Sequence, residues 1–151
     1  MQVEIRQETF DPWQEMARVE RECGPAAGSY GATAVFLGSM RDFNEGDDVR
    51  AMSLEYYPGM TEKHLQAICD EAIARWQIDD ALVLHRVGDL NPGETIVLIA
   101  VWSAHRGAAF EACRFIIEDL KHRAPFWKKE TTATGERWVS RNTGANENLE
   151  R

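Results

Sequence analysis

Hydrophobic positions along the chain recur in two rhythms, every second residue or every third and fourth, and the switches between them mark ten elements. Residues 3–6 suit a short strand. Asp11-Pro12 then predicts a helix start, a capping carboxylate followed by proline at the first helical position, with Trp13, Met16 and Ala17 as the buried face. The pattern is lost near Cys23, and G-P-A-A-G-S-Y-G at 24–31 is a loop on its glycines and proline. Residues 32–38 form a small apolar strand that carries Ser39, Met40 and Arg41 at its end. The polar run D-F-N-E-G-D-D at 42–48 reads as a mobile loop.

Residues 50–57 alternate, with Met52, Leu54 and Tyr56 on one face of a half-buried strand. Pro58-Gly59 turns the chain, and Thr61 is expected to cap a helix whose stripe is Leu65, Ile68, Ala72, Ile73 and Trp76. Strands at 81–87 and 95–102 flank the N-P-G turn at 91–93. A third helix, 107–122, buries Ala109, Cys113, Ile116, Ile117 and Leu120 and stops before Pro125. Strands at 128–132 and 137–140 around A-T-G-E predict a terminal hairpin, and 142–151 reads as a frayed polar tail. The result is a mixed α/β single domain over 1–141, built mainly of adjacent antiparallel hairpins and three helices.

Composition narrows the class. The chain has 151 residues, 44% hydrophobic and 28% charged, the balance of one soluble globular domain. No apolar run approaches the roughly 20 residues of a membrane span, and no basic, apolar leader follows Met1, so a cytoplasmic protein is expected. Cys23, Cys69 and Cys113 are odd in number and form no C-x-x-C pair. Neither a disulfide framework nor a metal site is indicated.

Charge is uneven. Between Val101 and Glu130, Arg106, Arg114, Lys121, Arg123, Lys128 and Lys129 exceed Glu111, Glu118, Asp119 and Glu130 by two, in a chain of formal charge −8. A local basic island in an acidic protein suits a small anion, whereas nucleic acid wants an extended basic face. Ser103, His105 and Arg106 lie at a helix N-terminus, where free N–H groups favour a phosphate. Lys121 and Lys128 meet only if A-P-F-W folds the chain back. The alternative is that these cations merely complement a helix C-terminus and are solvated. Arg41 likewise reads either as a loop residue paired with Asp42 or Asp47 or as the rim of an anion site. His85 reads as a strand side chain, since no second metal-type residue is spaced to join it. Dinucleotide, Walker-type, serine-hydrolase and zinc-protease motifs are absent from the sequence.

Three strings carry a family resemblance: L-E-Y-Y-P-G-M-T-E-K-H-L at 54–65, S-A-H-R-G at 103–107 and L-K-H-R-A-P-F-W-K-K-E at 120–130. In this order they resemble the large, catalytic subunit of molybdopterin synthase, over about residues 36–139. The resemblance implies an α/β hammerhead-type fold with an added small antiparallel sheet. It implies a homodimer within a heterotetramer, with a ubiquitin-like small subunit whose C-terminal Gly-Gly thiocarboxylate gives sulfur to cyclic pyranopterin monophosphate. No metal or organic cofactor, nucleic acid or membrane is implied. Arg41, His105 and Arg106 would hold phosphate and pterin, with Ser39 and Met40 beside Arg41. Lys121 would be the main catalytic amine, Lys128 would assist it, and Lys129 and Glu130 complete the family's K-K/R-E run. Phe36, Phe126 and Trp127 would flank the site. Two positions depart from the pattern: Ser39, where many relatives are basic, and Asn142, where an arginine is usual and Arg141 stands one place earlier. Without the resemblance, an enzyme on another phosphorylated metabolite or an adaptor for a ubiquitin-like partner fits the same residues.

Overall fold

The computed structural model describes residues 1–44 and 47–139, with side chains outside 43–49. Its described elements are β1 (Gln2–Arg6), α1 (Pro12–Glu22), β2 (Ala32–Ser39), β3 (Phe43–Asn44), β4 (Asp47–Tyr56), α2 (Met60–Trp76), β5 (Asp80–Arg86), β6 (Gly88–Leu90), β7 (Thr95–Ser103), α3 (Arg106–Arg123), β8 (Phe126–Thr132) and β9 (Gly135–Trp138). They form a four-stranded sheet in the order β1-β5-β7-β2 and a second sheet in the order β3-β4-β8-β9, with β6 also on β4. The second sheet is antiparallel throughout, so the mixed α/β class and the added small antiparallel sheet stand.

The strands β5 and β7 are apolar without alternation because both faces of the first sheet are covered. Ala81, Val83, Val97, Ile99 and Val101 pack under α2 and α3, while Leu82, Leu84, Leu98, Ala100 and Trp102 meet Met16 and Val19 of α1. A third cluster, with Met40, Met52, Leu54, Val87 and Leu90, fills the angle between the sheets. Asp11 caps α1 by accepting from the Trp13 and Gln14 N–H groups, as its sequence predicts.

Several expectations change. Trp13 and Ala17 are exposed, and α1 buries Met16 and Val19 instead. Its adjoining positions carry Glu15 and Arg18, which form a surface ion network with Arg6 and Glu4. Thr61 does not cap α2. Gly59 does, at φ +83°, a left-handed value that glycine adopts without strain, so Thr61 falls inside the first turn and points inward. Part of 42–48 is strand, since Phe43 and Asn44 pair with Asp48 and Asp47. Adjacent hairpins do not dominate: β1 runs parallel to β5, β2 pairs with β7, and β4 pairs with β8. Residues 140–151, including Arg141, Asn142 and the expected tail, lie outside the described residues.

Candidate active site

The end of α3 creates the site. Ala124 precedes a proline and is therefore held out of the helical region, at φ −78° and ψ 131°, which stops α3 after Arg123. The Phe126 N–H then donates to the Ala124 carbonyl at 2.9 Å, and β8 starts back at once. Thr61 secures this corner: its hydroxyl donates to the Pro125 carbonyl and accepts from the Tyr57 N–H, each at 3.0 Å. Side chains two apart share a strand face, so Phe126 and Lys128 point together towards Lys121 in the last turn of α3. The fold-back of A-P-F-W is thus real.

Lys121 and Lys128 line one cavity of about 270 Å³, walled by Phe36, Leu54, Val97, Ile117 and Phe126, with His85 also on its wall. Gly38 keeps it open to the sheet; a Cβ there would lie 2.8 Å from Val97 Cγ1. The cavity shares Phe36, Gly38, Ser39, Ile117, Lys121 and His122 with an outer groove of about 690 Å³ between β2 and α3, where Arg41 stands. The deep part is the smaller and less open of the two, with exposed Ser39 and His122 at its mouth.

The amines are tuned by this setting. Burial, then the nearby Arg41 guanidinium, lowers Lys121 from its ordinary value. Burial, then the charges of Lys121 and Arg41 against the opposing pull of Glu130, brings Lys128 down to about 8. At pH 7 about a tenth of Lys128 is then neutral, enough for a base, while the protonated fraction remains an anion ligand. Three of the other four island cations lie in ion pairs: Arg114 with Glu118, Arg123 with Glu71 and Asp119, and Lys129 with Glu136.

The remaining sequence candidates separate. Ser39 is exposed at the rim, beyond a β-bulge after Gly38. Met40 is buried in the third core cluster, with its N–H and carbonyl bonded to Glu94 and Gly93. Lys129 lies on the opposite face of β8 beside Trp138, and Trp127 shares that face, 49% exposed. Glu130 is on the Lys128 face, buried and paired with Arg137 at 3.2 Å. His105 is the exposed N-cap of α3, and Arg106 its first residue. Sixteen residues of helix separate His105 from Lys121, about 24 Å along the axis, so within one chain they do not share a pocket.

Residues 5–123 match the protein family described as MoaE protein. The chain belongs to that family. It is 50% identical over 139 residues to the molybdopterin synthase catalytic subunit of Pseudomonas aeruginosa, covering 92% of this chain and 90% of that one. The molybdopterin synthase catalytic subunit of Ralstonia nicotianae is 61% identical over 109 residues, 72% of this chain and 62% of that protein. Among solved structures, the molybdopterin biosynthesis MoaE protein from Burkholderia ambifaria superposes with a TM-score of 0.78 at 45% identity, covering 95% of this chain and 92% of that one. Molybdopterin synthase from Staphylococcus aureus gives 0.80 at 34% identity, covering 91% and 96%.

Two features escaped the sequence reading. His85 lies in the cavity although nothing in its spacing links it to the lysines, because strand β5 is brought to them only through sheet packing. The outer groove's Val35 and Phe110, 38% and 67% exposed, sit on the edge strand and on α3 where periodicity predicts nothing. Among the described residues no three His, Cys, Asp or Glu side chains gather as a metal-binding group, and no helix is long and apolar enough to cross a membrane.

Proposed function

We propose that the chain is the large subunit of a molybdopterin synthase, a sulfurtransferase acting on cyclic pyranopterin monophosphate. The observation that carries this reading is the convergence of Lys121 and Lys128, both with lowered proton affinity, in one cavity beside Arg41. Membership in the MoaE family and relatives named molybdopterin synthase catalytic subunit support it. The sulfur donor is the C-terminal Gly-Gly thiocarboxylate of a ubiquitin-like small subunit. The tail enters beside Arg41, through the mouth at Ser39 and His122 that the outer groove shares with the lysine cavity.

In the reaction the thiocarboxylate sulfur attacks an electrophilic ring carbon, forming a C–S bond and an acyl thioester to the tail while a C–O bond of that carbon breaks and its oxygen leaves, either as the phosphate oxygen or, from a carbonyl carbon, as water. Water then cleaves the thioester, leaving sulfur on the pterin and a carboxylate on the tail. Repetition at the neighbouring carbon completes the dithiolene; of the two C–O bonds broken, one opens the cyclic phosphate, which stays on the product as a monoester through its other oxygen, and the other releases its oxygen as water. Arg41 and the protonated amines hold the phosphate, and a neutral amine, Lys121 in the main role, takes the proton shed by the attacking water. His105 and Arg106 contribute from a second copy of the chain, because α3 keeps them from their own Lys121. The exposed Val35 and Phe110 on edge strand β2 and α3 offer such a copy an apolar surface. A homodimer carrying two small subunits follows. The free thiols of Cys23, Cys69 and Cys113 suit the reducing cytoplasm.

The test mixes purified protein, thiocarboxylated small subunit and cyclic precursor, and assays the dithiolene pterin. Product is expected with no added metal, and a small subunit lacking its last two residues should still bind yet give none. No product from the intact mixture, or full product from the truncated partner, would sink the reading.

A further inference from the structure

His85 sits on β5 with 5% of its surface exposed, on the side of the sheet that Ala81 and Val83 present to the helices. Its ring lies on Phe126, centroids 4.0 Å apart and planes 17° from parallel. Its Nδ1 is 2.8 Å from the Arg86 carbonyl oxygen. A carbonyl only accepts, so Nδ1 carries the hydrogen and donates, and in the neutral ring Nε2 is left as a lone pair. Burial, with the charges of Lys128 and Lys121 adding to it, brings the ring's pKa down to about 4, so it is neutral under ordinary conditions. Stacking fixes the plane of the ring and the Nδ1 bond fixes its rotation.

The chemistry around that lone pair is one-sided. The deep cavity is lined by the Lys121 and Lys128 amines, no carboxylate lines it, and Arg41 adds another donor from the groove. Ser39 and His122 are exposed at the mouth. Among the described residues no hydrogen bond is made to His85 Nε2. That acceptor opens on a ligand-sized space, where a donor from a bound molecule can reach it in place of solvent.

We propose that His85 is a further substrate-contacting residue, whose Nε2 accepts a hydrogen bond from a ring N–H of the bound pterin and so orients the ring while the cations hold its phosphate. This rests on the proposed molybdopterin synthase reading. A reduced pterin bears N–H donors along its ring edge, and a site of cations alone would hold the phosphate without fixing the ring. The amide N–H groups of the small subunit's tail are the other source of such a donor, and the experiment separates the two.

The decisive comparison sets His85→Phe, which keeps a stacking ring and loses the acceptor, against His85→Gln, which retains an amide oxygen for that role. Precursor binding is titrated without small subunit, small-subunit binding without precursor, and dithiolene formation with both. We expect His85→Phe to weaken precursor binding about tenfold, with His85→Gln recovering most of it and small-subunit affinity unchanged in both. In histidine-labelled wild-type protein, NMR should show the His85 Nε2 signal moving on addition of precursor while Nδ1 stays. Wild-type precursor affinity in His85→Phe, a loss confined to small-subunit binding, or an unmoved Nε2 signal with precursor bound would overturn the proposal. Equal loss in both variants alongside an unmoved signal would reduce His85 to packing. Wild-type protein that binds precursor and shifts Nε2 yet makes no dithiolene would sink the functional reading alone.

Discussion

Lys121 and Lys128 are both depressed by burial, Lys121 further by Arg41 and Lys128 further by Lys121 and Arg41. If the neutral form of Lys121 takes a proton, Lys121→Ala should cut single-turnover product formation by ~10² to 10⁴ with saturating partner. Lys121→Arg should not rescue it, because a guanidinium keeps its proton near neutral pH. Near-normal product from the arginine variant would leave Lys121 an electrostatic role only. Lys128 gives the pH dependence a sign. Its folded pKa of about 8 lies below the ordinary lysine value of 10.5, so the unfolded chain binds more protons between the two. Native stability should therefore rise, with respect to this group, as pH goes from about 8 towards 10.5, and its burial cost is fully present below 8. The part of product formation that depends on neutral Lys128 should climb with pH to a limb near 8. In Lys121→Ala the residual activity's limb should move upward, since Lys121's repulsion is removed. A limb that stays in place would separate the two amines. Arg41→Ala should raise the precursor's KM with little change in melting temperature, because it is exposed and offers a charge-assisted contact to phosphate. Unchanged saturation would remove Arg41 from binding.

At the scale of elements, the corner between α3 and β8 decides whether the lysines meet. Thr61 is fully buried and holds this corner through two part-buried backbone groups, the Tyr57 N–H and the Pro125 carbonyl. Thr61→Val keeps the shape and orphans both, so it should cost about 1–3 kcal/mol in equilibrium unfolding. An unchanged denaturation midpoint would show that the Pro125 corner holds by chain stiffness alone. The helix stripes of α2 and α3 were legible because burial there follows the helical period, and the end of α3 was legible because Pro125 enforces it. Thr61 was misread as a cap, since its residue type suits an N-cap and only the left-handed turn at Gly59 moves the start. Strand β6 and the pairing at 43–44 went unseen: two or three residues give too little periodicity, and a polar sequence can pair by backbone alone.

For the whole molecule, the proposed homodimer is what would bring His105 and Arg106 of one copy to the lysines of another across the length of α3. Phe110→Asp on the exposed face of the outer groove should break the homodimer, as read by sedimentation, while leaving the monomer's melting temperature within a few degrees. Product formation should fall with it, and mixing with Lys121→Ala protein that keeps Phe110 should restore part of it only if sites are shared between copies. A dimer unaffected by Phe110→Asp would move the interface elsewhere. By itself the sequence determined the helices, the longer strands, the local basic island and, through three long strings, the family, because each depends on neighbours in the chain or on inherited residue identity. Tertiary structure alone decided that β1 lies parallel to β5, that His85 faces the lysine cavity, that Lys129 turns away, and that His105 and Arg106 are a helix length from Lys121. Those outcomes depend on which face of one strand meets which helix across long stretches of chain, and sheet pairing and core packing set them through contacts that no local spacing encodes.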